Sequence, residues 1–313
     1  MLQIEGEKSM QNFREEESRC SQIFADLGNC YHLWTSERCE VIFRSEEEFC
    51  SGMNVIGICA RLFPQIRILT FEIMSNHLHL VVAGDEIAVR SYFDSVKTYL
   101  MRHFKKDGRT IDWSTFNLGI RKLTILEEVR NVIVYNNRNG YVVSSVYTPF
   151  TYPWGANRYY FSPDSVALAS LLSKPVKLRE RQAAIRSRVA DDIEGLMMYE
   201  GCISPVSFCD ISTGEKLFRG PSHYFYKLGR SIENQKEIAK EISEGVFYTD
   251  DELFMSIVSI AQKRYNVKTL TEAGASVKIE LAKIMRYEYN ASSKQIARFL
   301  KLSDVVLASI GII

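Results

Sequence analysis

The chain has 313 residues, of which 46% are hydrophobic and 25% are charged. This length fits about two domains, and the composition excludes bulk disorder. No apolar run approaches the roughly 20 residues that a membrane span needs, so we expect no membrane partner. The start of the chain has no basic flank followed by an apolar stretch, so no secretory signal is expected.

The cysteine count and the net charge narrow the function classes. Seven cysteines without a CxxC pair argue against a disulfide framework and a zinc knuckle. We therefore expect a cytoplasmic protein in which Cys202 and Cys209 are unpaired thiols. The 39 Lys and Arg residues balance 38 Asp and Glu residues, which leaves a net charge of +1. Any nucleic-acid site must therefore come from local cations.

The first half of the chain predicts an α+β domain over residues 28–162, after an acidic helical extension over residues 1–27. Ser45 is a predicted helix start, Ser75-Asn76 a hairpin turn, and Thr124 with Glu127 a capping box. The predicted elements are strands at 30–35 and 41–43, a helix at 45–62, strands at 66–74 and 77–82, a helix at 86–106, a strand at 118–123, and a helix ending near 138.

The second half, residues 163–313, predicts a separate all-α domain, with the boundary near Ser162-Pro163. Helical patterns recur at 250–265 and 275–289. The tail resembles a helix–turn–helix, with a short helix ending at Leu300 and a turn before the second helix. Plain helical packing is the alternative for this tail.

Two histidines two residues apart form the first candidate site. Met74-Ser75-Asn76-His77-Leu78-His79 lies on a predicted strand, where side chains alternate between faces, so His77 and His79 share one face. Two imidazoles on one face are a partial site for a divalent metal. Polar residues on a solvated strand face are the alternative explanation.

A tyrosine and an asparagine form the second candidate site. Tyr135 and Asn139 are four residues apart on a predicted helix, hence neighbours on one helical face. Taken alone, such a tyrosine is more often a packing residue than a nucleophile, and Asn139-Gly140 is typical of a helix stop.

Together the two motifs resemble the REP-associated tyrosine transposases, a group of single-tyrosine HUH transposases. The resemblance covers residues 28–161 and rests on four motifs in the family's order: Tyr31-His32-Leu33, Met74 to His79, Tyr135 to Asn139, and Tyr152-Pro153-Trp154. The chain departs from the family pattern in two places. Gly140 replaces a proline, and Gly155-Ala156 replaces two serines.

The resemblance implies a ferredoxin-like antiparallel sheet flanked by helices. It also implies that His77, His79 and Asn139 bind Mg²⁺ or Mn²⁺, and that Tyr135 attacks a phosphate of single-stranded hairpin or repeat DNA. The product would be a 5′-phosphotyrosine link and a free 3′-hydroxyl. Because tyrosine has a pKa near ~10, it needs a metal or a base to become an effective nucleophile.

Local groups of cations are the candidate DNA-binding residues. Lys105 and Lys106 end a predicted helix, where cations also suit the helix dipole. A basic segment from Lys174 to Arg188 offers a second track for phosphates, with a solvated helix face as the alternative. The DNA-binding residues proposed from the sequence are Lys105, Lys106, Lys174, Lys177, Arg179, Arg181, Lys294 and Arg298.

The sequence therefore predicts a metal-dependent nuclease and strand transferase that acts through Tyr135. A non-catalytic DNA-binding regulator derived from such a transposase is the alternative. A metal-dependent hydrolase unrelated to DNA is disfavoured, because no carboxylate accompanies the histidines in the sequence. Relatives include monomers and dimers, so a homodimer is a second partner to test.

Overall fold

The computed structural model describes residues 2–35, 41–142, 147–148, 150–241, 250–287, 291 and 293–310. Twelve α-helices and seven strands lie within these ranges. The helices are α1 Leu2–Leu27, α2 Glu46–Leu62, α3 Glu86–Lys106, α4 Leu126–Val142, α5 Pro163–Leu172, α6 Leu178–Ile185, α7 Ile211–Lys216, α8 Pro221–Glu241, α9 Asp250–Tyr265, α10 Ala275–Tyr287, α11 Ser293–Leu300 and α12 Asp304–Ser309. The strands are β1 Cys30–Trp34, β2 Arg67–Ile73, β3 Leu78–Ala83, β4 Gly119–Leu123, β5 Lys174–Pro175, β6 Met197–Tyr199 and β7 Cys202–Ile203.

Strands β1 to β4 form an antiparallel sheet in the order β2-β3-β1-β4. In the register of this sheet, His79 lies opposite Glu72 on β2 and opposite Trp34 on β1. Side chains that lie opposite each other in an antiparallel pair project from the same face. Glu72, His79 and Trp34 therefore share a face, and His32, two residues before Trp34, lies on it too. The chain is thus a mixed α+β protein, as its sequence predicts.

Local signals in the sequence set the ends of the central elements. The amide of Met74 donates to the carbonyl of His77 at 2.9 Å, which closes the β2–β3 hairpin at Ser75-Asn76 as predicted. The Ser45 side chain accepts from the amide of Glu48 at the start of α2, and the Asp85 carboxylate accepts from two amides at the start of α3. These caps fix where the two helices leave the sheet.

The two faces of the sheet carry different layers. Helix α2 lies on the face that presents Ile73, where a side chain at Gly52 would crowd the Ile73 methyl group at 3.3 Å. Helix α4 lies on the face that presents His79, because its Asn137 accepts a hydrogen bond from Thr70 on β2. Helix α8 packs outside α4 and joins it through the Tyr224 hydroxyl. The candidate site therefore lies between the sheet and α4.

The hydrophobic core divides the chain at a different point from the predicted boundary at residue 162. One cluster runs from Leu27 to Leu228 and includes Ala169, Ile185 and Phe218 beyond that boundary. A second cluster runs from Leu253 to Leu307 and is formed by α9 to α12. The sequence places the boundary at a turn-rich segment. The structure, however, pairs the residues after it with the sheet, as when Asp210 donates its amide to Ile68 at 2.7 Å.

The expectation of an all-α second half needs correction. Strands β5, β6 and β7 form a small antiparallel sheet in that order between α5 and α7. Cys202 on β7 also forms a disulfide with Cys50 on α2, with the two Cα atoms 5.3 Å apart. Cys202 is therefore not the unpaired thiol expected, whereas Cys209 is a free, buried thiol. Because 152 residues separate the two partners, cysteine spacing does not predict this pair.

Three smaller predictions also change. Residues 41–43 do not form a strand; instead the amides of Ile42 and Phe43 both donate to the carbonyl of Ser75 at 2.8 Å. Glu128, not Glu127, accepts from the amide of Thr124 at 2.8 Å, one residue beyond the predicted capping box. Helix α4 continues through Gly140 to Val142, so this glycine does not stop it. In the parts of the chain that the structure describes, no helix is long and apolar enough to cross a membrane.

Candidate active site

Three histidines lie together beneath α4. The rings of His77 and His79 meet edge to face with their centroids 4.8 Å apart, on the same side of the hairpin. Both side chains are buried, with exposed fractions of 5% and 4%. His32 on β1 stacks on His79 at 5.5 Å, and its Nε2 atom lies 3.3 Å from His79 Nδ1. The explanation of the H-x-H pair as a solvated strand face is therefore wrong, because both rings are enclosed.

Burial determines the charge of His79 and His32. Desolvation, with His77 and His32 as further contributors, holds the pKa of His79 well below its ordinary value. Desolvation, reinforced by the guanidinium of Arg121, lowers the pKa of His32 to about 4. Both rings are consequently neutral near pH 7, and neutral imidazole is the form that binds metals.

Tyr135 lies directly against the histidine cluster. Its ring meets the His79 ring edge to face with centroids 5.5 Å apart, and the His32 ring at 6.2 Å. The guanidinium of Arg138 lies over the tyrosine ring at 5.0 Å and donates to the carbonyl of Ser231 on α8. Tyr135 is only partly buried. The two motifs that the sequence keeps 56 residues apart thus meet in one place.

Asn139 follows Tyr135 by one turn of α4 and is buried, with an exposed fraction of 9%. It therefore lies on the same side of the helix as Tyr135. Its neighbour Asn136 is fully buried, and neither polar atom of its amide has a hydrogen-bond partner among the described residues. Buried amides normally form hydrogen bonds, so packing alone does not explain the Asn136 side chain at this position of α4.

Glu72 is a member of the site that sequence reasoning missed. It lies opposite His79 on β2, with an exposed fraction of 1%. A carboxylate does accompany the histidines in space, although none does in the H-x-H motif itself. The signal in the sequence was a single charge within the apolar run Ile68-Leu69-Thr70-Phe71-Glu72-Ile73-Met74. A charge in such a run is rarely buried without a partner or a function.

A buried chain of hydrogen bonds fixes α4 above the sheet. Thr70 donates to Asn137, whose side-chain amide donates to the Tyr224 hydroxyl at 2.8 Å, and this hydroxyl donates to Asn157. Desolvation raises the pKa of Tyr224 beyond its ordinary range, so this hydroxyl keeps its proton. The chain links β2, α4, α8 and the segment after Gly155. It thereby fixes the height of Tyr135 above the histidines.

The Tyr152-Pro153-Trp154-Gly155 motif lies along the outer edge of β2. The Tyr152 hydroxyl donates to the carbonyl of Ile73 at 2.7 Å, and the amide of Ile73 donates to the carbonyl of Trp154 at 2.9 Å. A side chain at Gly155 would come within 3.1 Å of the Phe71 carbonyl. Glycine therefore suits this close approach, which gives a structural reason for Gly155 in place of the first serine of the family pattern.

The predicted DNA-binding cations separate into two groups. Lys105, Lys106, Lys174, Lys177 and Arg179 have exposed side chains. Arg181 does not extend freely into solvent, because its guanidinium donates to the carbonyls of Val176, Ala190 and Asp191. Arg181 therefore holds the loop after α6 in place, and we remove it from the predicted DNA-binding residues.

The two basic segments meet in space. The Arg186 guanidinium pairs with Asp107 at 3.1 Å, and His103 lies 3.2 Å from the carbonyl of Ala184. The end of α3 with Lys105 and Lys106 therefore adjoins the end of α6. Both helices pack with α2, on the opposite side of the sheet from Tyr135.

The tail folds as the sequence predicts in outline. Helix α11 ends at Leu300, a turn with Lys301 at a positive φ of 50° follows, and α12 begins after the cap Ser303. Arg298 is exposed, with its guanidinium over the Phe299 ring. The side chain of Lys294 lies outside the described residues. Ile296, Leu300 and Leu307 are buried in the second cluster, so these helices pack at least among themselves.

The donors at the cluster fit a divalent cation. The Nε2 atom of His79 is buried and has no hydrogen-bond partner among the described residues, and the His77 ring packs against the His79 ring. Within the described residues, no three His, Cys, Asp or Glu side chains group as a metal site. The predicted metal ligands are two imidazoles and the amide of Asn139, so they include only two side chains of these four types.

Comparison with known proteins adds no further identification. The chain matches no family model, and neither a curated protein nor a solved structure resembles it significantly. The function is therefore inferred from the geometry of the site.

Proposed function

We propose that this protein is a metal-dependent DNA strand transferase of the single-tyrosine type, with Tyr135 as its nucleophile. The observation that carries the proposal is the packing of the Tyr135 ring against His79, the second histidine of the H-x-H motif. A hydroxyl-bearing ring beside the neutral imidazole of His79 combines a nucleophile with a metal-binding nitrogen. The strand order β2-β3-β1-β4, with helices after β1 and β3, supports a ferredoxin-like domain around this site.

The residues divide the work as follows. His77, His79 and Asn139 would hold Mg²⁺ or Mn²⁺, which supplies positive charge to the scissile phosphate when bound. Tyr135 would form a bond from its oxygen to phosphorus while the bond to the 3′ oxygen breaks. The 3′ oxygen takes up a proton, and the 5′ phosphate stays on the tyrosine. Arg138, over the tyrosine ring, holds that ring in position.

The exposed cations Lys105, Lys106, Lys174, Lys177 and Arg179 are proposed to bind the DNA backbone away from the scissile phosphate. Each phosphate contact should add about one unit to the slope of log affinity against log salt. The end of α11, with Lys294 and Arg298, is proposed as a further DNA contact. Single-stranded hairpin or repeat ends are the substrate class.

The test is a covalent adduct. The full chain is incubated with single-stranded hairpin DNA and Mn²⁺, and protein–DNA species are separated under denaturing conditions. The wild type should form an adduct, and Tyr135→Phe should reduce it by at least about a thousandfold, because only the attacking hydroxyl is removed. Tyr147→Phe is the matched control, since it removes a nearby tyrosine hydroxyl outside the cluster and should leave the adduct intact.

A second candidate is a DNA-binding regulator that does not cut. It is favoured by the observation that the described residues include no three-donor group of His, Cys, Asp or Glu. If the wild type binds hairpin DNA but forms no adduct in Mn²⁺, the regulator is correct. An adduct that survives in Tyr135→Phe would instead move the nucleophile to another residue.

A further inference from the structure

His32 has no assigned role, although it makes the closest polar contact in the cluster. Its Nε2 atom lies 3.3 Å from His79 Nδ1, and the two rings stack with an interplanar angle of 17°. Because this nitrogen is directed at His79, it does not point toward a metal held on the other side of the His79 ring. His32 therefore lies on the side of the His79 ring that is opposite such a metal.

The contact constrains where the proton of His79 resides. A neutral imidazole has one N–H and one bare nitrogen, so two neutral rings joined by one hydrogen bond have only two arrangements. Either His79 Nδ1–H donates to His32 Nε2, or His32 Nε2–H donates to His79 Nδ1. Only the first arrangement leaves the lone pair of His79 on Nε2, the buried atom that has no hydrogen-bond partner among the described residues.

The sheet holds His32 in place beside His79. Arg121 lies opposite His32 in the β1–β4 pair. The Trp34 ring, 5.0 Å from His32, packs against the imidazole from the same strand.

We propose that His32 is a positioning residue, which accepts a hydrogen bond from His79 Nδ1–H and so turns the lone pair of His79 Nε2 toward a divalent cation. This inference rests on the proposed function. A ligating histidine that donates its other N–H to a fixed acceptor is held in one tautomer and one orientation, and loss of such an acceptor weakens metal binding by about 10–100-fold.

The first test reads the tautomer directly, without metal. The chain has five histidines, so selective ¹⁵N-histidine labelling and long-range ¹H–¹⁵N spectra near pH 7 resolve each ring. His79 should show its proton on Nδ1 in the wild type, and a mixture of tautomers in His32→Leu. A wild-type His79 with its proton on Nε2 would overturn the proposal.

The second test measures Mn²⁺ affinity of the full chain by titration. His32→Leu should weaken the affinity by about 10–100-fold, and His32→Gln should recover most of it, because a glutamine carbonyl accepts the same hydrogen bond. His103→Leu removes a partly buried imidazole elsewhere and should change nothing. An affinity within twofold of wild type in a folded His32→Leu would refute the role.

The two tests separate this inference from the proposed function. If the wild type binds no Mn²⁺, the metal-dependent function fails, while the tautomer of His79 still decides whether His32 acts as its acceptor. If the wild type binds Mn²⁺ but Tyr135→Phe keeps the adduct, the nucleophile is wrong and the role of His32 stands.

Discussion

The two faces of the four-stranded sheet are equally buried but differ in the polarity of their side chains. The face toward α2 presents Leu33, Phe71 and Leu80, which are all buried and apolar. The face toward α4 presents Thr70, Glu72 and His79, which are buried just as completely but are polar. Adjacent residues of the same strands thus have opposite chemistry at equal burial.

This difference indicates which face stabilises the fold and which is available for chemistry. Burying an apolar side chain contributes about 1.5–3 kcal/mol, whereas burying a polar group without a hydrogen-bond partner costs free energy. The α4 face keeps a histidine nitrogen and an asparagine amide without partners among the described residues. Such groups are expected where a ligand completes the site.

The largest effect is expected from a substitution on the apolar face. Leu80→Ala removes a side chain that lies opposite Phe71 and Leu33 in the sheet, with 2% of its surface exposed. The free energy of unfolding should fall by about 2–5 kcal/mol, because a cavity forms in a tightly packed layer. Urea unfolding measures this loss. Mn²⁺ affinity below the transition should stay unchanged, and a parallel loss of affinity would show that the faces are not independent.

The next largest effect is expected from a substitution on the polar face. In His79→Leu the side chain is of similar size, but His32 loses its hydrogen-bond partner, so the unfolding free energy should fall by about 1–3 kcal/mol. Mn²⁺ binding should weaken by at least a hundredfold, equivalent to about 2.8 kcal/mol. Calorimetric titration with Mn²⁺, next to urea unfolding of the same variant, gives both numbers. Strong destabilisation with unchanged Mn²⁺ binding would make His79 a packing residue.

The smallest effect is expected from loss of one hydroxyl in the hydrogen-bond chain on the polar face. Tyr224→Phe keeps the ring that stacks on Tyr160 at 5.4 Å and removes the hydroxyl that joins Asn137 to Asn157. Unfolding free energy should fall by about 1–3 kcal/mol, since two buried amides lose a partner. Adduct formation by Tyr135 should fall as well, because α4 loses part of its anchor. Tyr226→Phe, an exposed position on the same helix, is the control and should be neutral.

The sequence by itself determined most of the local structure around the site. The Ser45 and Asp85 caps, the Ser75-Asn76 turn and the helical span of residues 86–106 follow from local preferences, and the structure agrees with them. Period-two alternation placed His77 and His79 on one side of a strand, and four-residue spacing placed Tyr135 and Asn139 on one side of a helix. These signals need no knowledge of the rest of the chain.

Only the tertiary structure decided which distant residues meet. The contacts of His32 and Glu72 with His79, the removal of Arg181 from the cationic surface and the Cys50–Cys202 disulfide all depend on strand order and helix packing. The core likewise extends past Ser162 to Leu228, because residues after the turn-rich segment pair with β2 and bury Tyr224. Hydrophobic burial depends on area and has no direction, so periodicity shows that a face is buried but not which element covers it.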